Sequence, residues 1–159
     1  MAKRALITGA SSGIGRDMAK VLASKGYDLV IVARSEDKLQ ELKSEINTNV
    51  EIIVMDLSIK ENCIELFNKV GYVDILVNNA GFGIFGKFSE TDLQKELELI
   101  NANVVAVHIL TKLFLQEMVK KDSGYILNVS SIAGHLPGPL MDAYYASKSY
   151  VYVLSTSIN

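Results

Sequence analysis

The chain has 159 residues and a mass of 17.4 kDa, enough for one domain, residues 1–159, with a buried core. Its 16 basic and 18 acidic residues leave a net charge of −2, with no basic surplus to attract nucleic acid, and a lone cysteine builds neither a disulfide framework nor a zinc site. The apolar runs fall short of the ~20 residues of a membrane span, and Ala5-Leu6-Ile7 is too brief for a secretory signal. The expectation is a soluble, reduced, cytoplasmic protein that holds no metal and partners neither nucleic acid nor membrane.

Five short apolar runs read as strands: Ala5 to Ile7, Leu29 to Val32, Glu51 to Met55, Ile75 to Val77 and Tyr125 to Leu127. They are nearly continuous rather than alternating, as in parallel strands buried on both faces. Amphipathic stretches lie between them. Ser35 precedes Glu36 and Asp37, with Leu39, Leu42 and Ile46 at helical spacing. Ser58 and Glu61 have capping-box spacing ahead of Ile64, Phe67 and Val70, and Ser89 and Asp92 have it ahead of the longest helix. That helix is expected to carry Leu97, Ile100, Val104, Val107 and Phe114 along one face. Both prolines, Pro137 and Pro139, fall in a single loop. The strand–helix alternation implies a doubly wound α/β fold with a parallel sheet.

In such folds ligands bind beyond the carboxyl ends of the strands, where strand order reverses. The polar residues closing the five runs are Thr8, Arg34, Asp56, Asn78 and the pair Ser130-Ser131. The first turn reads Thr8-Gly9-Ala10-Ser11-Ser12-Gly13-Ile14-Gly15 and leads from a strand into a helix. There Gly9 permits a tight turn, Gly13 a close approach of a pyrophosphate, and Gly15 close helix packing. The helix N-terminus presents free N–H groups and a positive dipole end to phosphate.

The spacing Thr-Gly-x3-Gly-x-Gly resembles the short-chain dehydrogenase/reductase family. Three further segments match in the family's order: Asn78-Asn79-Ala80-Gly81, Asn103 in the long helix, and Ser131 followed by Tyr144-x3-Lys148. The resemblance runs from residue 3 to the last residue. It implies a Rossmann-like sheet and an oxidoreductase that moves hydride between a nicotinamide dinucleotide and a small-molecule carbonyl or secondary alcohol. The catalytic group it implies is Asn103, Ser131, Tyr144 and Lys148. Tyr144 exchanges the proton with the substrate oxygen, and Lys148, one helical turn on, lends it positive charge and bonds the nicotinamide ribose. Ser131 holds the substrate oxygen, and Asn103 keeps a water that relays protons from Lys148. Cofactor contacts are implied for Gly9, Ser11, Ser12, Gly13, Ile14, Gly15, Arg34, Asp56, Leu57, Asn79, Ala80 and Gly81, besides Tyr144 and Lys148. Asp56-Leu57 lie against the adenine, and Asn78 and Ala80 bond the sheet and line the adenosine side. By spacing alone Tyr145 is an alternative partner for Lys148; the thirteen-residue step from Ser131 favours Tyr144. Ser130 and His108 read as structural, and His135 as a residue at the pocket's edge.

No carboxylate stands at the tip of the second strand, where an NAD-preferring enzyme places one. Arg34 stands there instead, with a forked cation suited to a 2′-phosphate. Ser11 is a second donor and Arg16 a weaker candidate, so the expected cofactor is NADP(H); an arginine that only solvates the loop is the alternative. Family members are longer, so the resemblance implies that the last two strands and the substrate lid are absent. A non-catalytic nucleotide-binding or interaction remnant is therefore the competing reading. Family members commonly pair through the long helix, here 91–120, and the Tyr/Lys helix, here 142–158, which implies a homodimer or homotetramer.

Overall fold

The computed structural model describes residues 3–158. Five strands, β1 (Arg4–Thr8), β2 (Asp28–Ala33), β3 (Val50–Val54), β4 (Ile75–Asn78) and β5 (Tyr125–Asn128), form one parallel sheet in the order β3-β2-β1-β4-β5. Six helices connect or follow them: α1 (Gly13–Ser24), α2 (Glu36–Ser44), α3 (Lys60–Val70), α4 (Leu93–Ile100), α5 (Ala106–Lys120) and α6 (Asp142–Ser157). This is the doubly wound, Rossmann-like sheet expected from the sequence. Each strand matches its apolar run to within a residue or so; Met55 falls just outside β3.

The continuous apolar runs have their physical reason in two cores, because alternate residues of one strand point to opposite faces. Leu6, Val30, Val32, Ile53 and Leu76 meet Leu66 of α3 and Leu110, Phe114 and Met118 of α5. On the other face Ala5, Ile7, Leu29, Ile31 and Val77 meet Ala19 of α1 and Leu39 and Leu42 of α2. Phe67 and Phe114 pack edge to face at 5.1 Å, and burying a side chain of that size contributes about 1.5–3 kcal/mol. At the sheet's edge, by contrast, Tyr125 and Leu127 of β5 are exposed.

Local capping departs from the sequence expectation. Ser58 makes no box with Glu61: its N–H and hydroxyl both donate to Asp56 Oδ1, and Ile59 takes the N-cap position of α3. Ser35 stands at the N-cap of α2 without a side-chain bond. At α4 it is Asp92 that caps, accepting from the Lys95 N–H at 2.9 Å.

Between α4 and α5 the helix runs through a π turn, Asn101–Val105, in which the Ala106 N–H reaches the Asn101 carbonyl. The added residue turns the apolar stripe. Leu97 and Ile100, expected on the buried face, are 44% and 39% exposed, while Leu99, Ala102, Asn103 and Ala106 face inward. The whole segment Leu93–Lys120 is long and apolar enough by composition to cross a membrane, contrary to the estimate from short runs. Of its buried apolar residues, Ala106, Leu110, Phe114 and Met118 pack on the sheet. Finally, α6 lies against α4, the π turn and β5.

Candidate active site

From β1 the chain steps outward to β2 and β3, then returns to the other side of β1 as β4. The crossovers diverge there, and the crevice beyond β1 and β4 holds a cavity of about 390 Å³. Its floor is knitted by Thr8. The Thr8 hydroxyl accepts the N–H groups of Asn79 (3.0 Å) and Ala80 (3.1 Å) and donates to the Val77 carbonyl (3.3 Å). Asn79 Nδ2 returns to the carbonyls of Thr8 and Gly9.

The glycines fit tightly onto this floor. Gly9 has φ +67°, and a Cβ there would stand 2.8 Å from Ala80 Cα. A Cβ on Gly15 would collide with Asn79 Nδ2 and the Gly9 carbonyl, so the third glycine is imposed by the turn and by β4. Gly13, with φ +53°, has open space where its Cβ would be, and Ser12 makes no side-chain bond to cap α1. The open N-terminus of α1 beside an unobstructed glycine is a cradle the size and charge of a diphosphate can fill. A dinucleotide therefore fits the residues present.

The cavity is lined on one side by Gly9, Ser11, Ser12 and Ile14, and on the others by Arg34, Asp56-Leu57 and Asn79-Ala80-Gly81. Gly13 and Gly15 frame this wall without lining it. Asn78 turns away: its Nδ2 donates to Thr111 Oγ1 and Asn128 Oδ1, so it ties β4 to α5 and β5. Arg34 reaches to 3.8 Å from Asp56. Arg16 is engaged elsewhere, paired with Glu41 of α2 and with Glu45 just past its end at 2.9 and 2.6 Å, so it does not stand as a phosphate ligand.

The segment Gly81-Phe82-Gly83 joins the cavity to the second residue group. Asn103, 1% exposed in the π turn, accepts the Phe82 N–H and donates through Nδ2 to the Phe82 carbonyl and to Ser147 Oγ. Both its amide hydrogens are thus taken, and a water on this side chain has only the second lone pair of Oδ1 to bond. Ser147 passes the link on by donating to the Tyr144 carbonyl at 2.7 Å. Gly83 lies against Met141 and the Tyr144 ring.

Lys148 lies one turn after Tyr144, only 7% exposed, with Nζ 5.8 Å from the Tyr144 ring centre. It donates to the Val129 carbonyl at 2.9 Å, while Ser130 Oγ donates to the Lys148 carbonyl. These bonds fix the adjoining Ser131, which tops a short 3₁₀ turn, Ile132–Gly134, and accepts the Ala133 N–H at 3.1 Å. Tyr145 points to a different groove, where it packs on Gly138 beside His135 and Ser149. His108 Nδ1 meets the Tyr150 hydroxyl at 2.6 Å, joining α5 to α6. Sequence reasoning left Ser147 and Phe82 unremarked; the one available signal was a hydroxyl three residues after Tyr144, able to bond back one turn.

The sequence model described as short chain dehydrogenase matches residues 3–159; the chain belongs to that family. It is similar to an uncharacterized oxidoreductase of Staphylococcus epidermidis, 31% identical over 98% of this chain and 70% of that protein. The bulky-bulky ketone specific alcohol dehydrogenase from Comamonas testosteroni superposes with a TM-score of 0.92 at 32% identity, over 99% of this chain and 66% of that one. A short-chain dehydrogenase from Sphingobium yanoikuyae in complex with NADPH has a TM-score of 0.92 at 33% identity, over 99% of this chain and 65% of that one. The chain thus spans about two thirds of these proteins.

Burial pushes the Lys148 ammonium below its ordinary range, because desolvation disfavours the charged form. The unfolded chain then binds the proton more tightly than the folded one. The resulting penalty is present in full below the folded value and is relieved as pH rises from there toward the ordinary value of 10.5. Lys148→Met is expected to raise the melting temperature at pH 7, by a margin that shrinks as pH approaches 10. Thermal denaturation across that range checks this; a margin that grows with pH would contradict it.

Proposed function

We propose that the chain is an NADP(H)-dependent oxidoreductase that interconverts a small-molecule carbonyl compound and a secondary alcohol. The observation that carries this reading is the continuity of the site: Gly81-Phe82-Gly83 runs from the open glycine cradle to Asn103 and the Tyr144 ring.

A bound nicotinamide supplies hydride to the carbonyl carbon or accepts it from the alcohol carbon. The rest is done by the chain's own side chains. Ser131, whose oxygen accepts from Ala133, has its hydroxyl hydrogen to offer to the substrate oxygen. The Tyr144 phenol gives its proton to that oxygen as negative charge develops there, and in the reverse direction the phenolate removes it. Lys148 spends one ammonium hydrogen on Val129. Two remain for the ribose hydroxyls, and its charge favours the phenolate. Asn103 and Ser147 brace the proton donor against the π turn, so that the reacting groups are held before substrate arrives.

Arg34 at the crevice rim supports the choice of NADP(H), since it is the Lys or Arg that lines the cavity among the described residues. The Sphingobium yanoikuyae relative is described with NADPH. A charge-assisted bond of this kind contributes about 1.5–3 kcal/mol. For location we propose the cytoplasm, with the apolar side of the long helix serving the core rather than a bilayer. For assembly we propose at least a homodimer through the outer faces of α4 and α6, where Leu97, Ile100, Tyr150, Tyr152 and Val153 are exposed.

Three measurements test this. Tyr144→Phe is expected to abolish reduction of a ketone panel with little change in NADPH affinity, and Lys148→Ala to damage both. Activity that survives in Tyr144→Phe but is lost in Tyr145→Phe would reverse the assignment. In fluorescence titrations NADPH should bind more tightly than NADH, and Arg34→Ala should weaken NADPH alone. Light scattering at micromolar concentration should give a mass of at least two chains; a clean monomer would refute the pairing.

A further inference from the structure

The cation at the crevice rim already has a partner. Arg34 Nη1 lies 3.8 Å from Asp56 Oδ2, and no other Lys or Arg lines the cavity among the described residues. The carboxylate is anchored. Its Oδ1 accepts from the Ser58 N–H at 2.9 Å and the Ser58 hydroxyl at 2.8 Å, which leaves Oδ2 for the guanidinium. The Arg34 side chain, by contrast, is 70% exposed.

We infer that Asp56 is a specificity-determining residue that competes with a ribose 2′-phosphate for Arg34, and so holds down the site's preference for NADP(H) over NAD(H). The inference rests on the assignment of Arg34 to the 2′-phosphate. A 2′-hydroxyl is neutral and nearly indifferent to the Arg34–Asp56 pair. A phosphate monoester brings about −1.5 to −2 charges and must set them beside a carboxylate that Ser58 keeps from turning away.

Two effects of Asp56 oppose each other, and their sizes decide the sign. As an ordering partner, Asp56 would hold Arg34 ready for phosphate. Yet 3.8 Å is longer than the roughly 2.7–2.9 Å of a charge-assisted bond, and a pair this exposed orders its arginine weakly. Repulsion needs no contact and acts within the Debye length of about 8 Å at physiological salt. Competition therefore outweighs ordering, and because water screens the site the effect amounts to a few-fold change in affinity.

The test needs binding only: NADPH and NADH by fluorescence titration, and 2′,5′-ADP and 5′-AMP by calorimetry, all on the full chain. Asp56→Asn removes the charge and keeps an oxygen for Ser58. The ratio of NADH to NADPH dissociation constants is expected to rise about three- to tenfold, a difference of up to ~1.4 kcal/mol. Any change at the adenine, which both nucleotides share, cancels in this ratio, so NADPH should gain on NADH and the 2′,5′-ADP to 5′-AMP ratio should follow. With Arg34→Ala as the starting protein nothing draws the 2′-phosphate to the side of Asp56, so the phosphate can turn out to water and the rise should shrink to less than about twofold. An unchanged or lower ratio in Asp56→Asn, or equal weakening of both nucleotides, overturns the competition, as does a rise that persists undiminished in Arg34→Ala. If Arg34→Ala leaves NADPH affinity unchanged, or neither nucleotide binds, the Arg34 assignment itself fails and this inference falls with it.

Discussion

The Thr8 hydroxyl is the contact on which the site depends. Two strands that lie side by side but feed crossovers in opposite directions must part at their ends, and parting exposes backbone N–H groups that no strand can pair. Thr8 meets that need by accepting from Asn79 and Ala80 at once while donating to Val77. The opening between β1 and β4 thereby becomes a satisfied floor rather than a frayed edge. Gly9 and Gly15 are glycines because that floor comes too close for a Cβ. The open cradle at Gly13 exists because its neighbours are held so firmly.

A second constraint organises the other half of the site. A regular helix from Leu93 to Lys120 would carry its inward stripe in a single register. The π turn breaks that register where Asn103 must turn toward Phe82 and Ser147. Upstream of the turn the helix answers to the loop at 82–91 and to α6; downstream it answers to the sheet through Leu110, Phe114 and Met118. One element thus serves two neighbours whose geometries do not match.

Much of this was readable in the sequence, for reasons that differ by residue. The strands were legible because burial on both faces leaves runs such as Leu29 to Val32 without alternation. The glycine turn and the Tyr144/Lys148 pair were legible because their spacing is local. The Ser58 cap was misread because the Asp56 carboxylate, two residues back, accepts both the Ser58 hydroxyl and the N–H that a capping box would have given to Glu61. The π turn leaves no periodic trace over five residues, so Leu97 and Ile100 were placed on the wrong face. Ser147 and Phe82 gain meaning only when 82, 103 and 147 meet in space, which no spacing along the chain announces. Arg16 and Arg34 looked alike as cations; Glu41 and Glu45 claim the first.

Lys148 is joined to the end of β5 twice, by its ammonium to Val129 and by its own carbonyl to the Ser130 hydroxyl. The twenty residues from 129 to 148 are therefore a loop buckled at its root. Loop-closure entropy grows only slowly with length, so a segment closed in this way tolerates changes along its span at little thermodynamic penalty. Pro137, Pro139 and Leu140, the last in the left-handed region at φ +65°, all lie within the span rather than at the buckle. Sequence drift there can reshape whatever the loop faces while Ser131 and Tyr144 stay tied to their anchors. One architecture can thus present many different surfaces, with novelty confined to the slack while Ser131 and Tyr144 keep their places near the clasp.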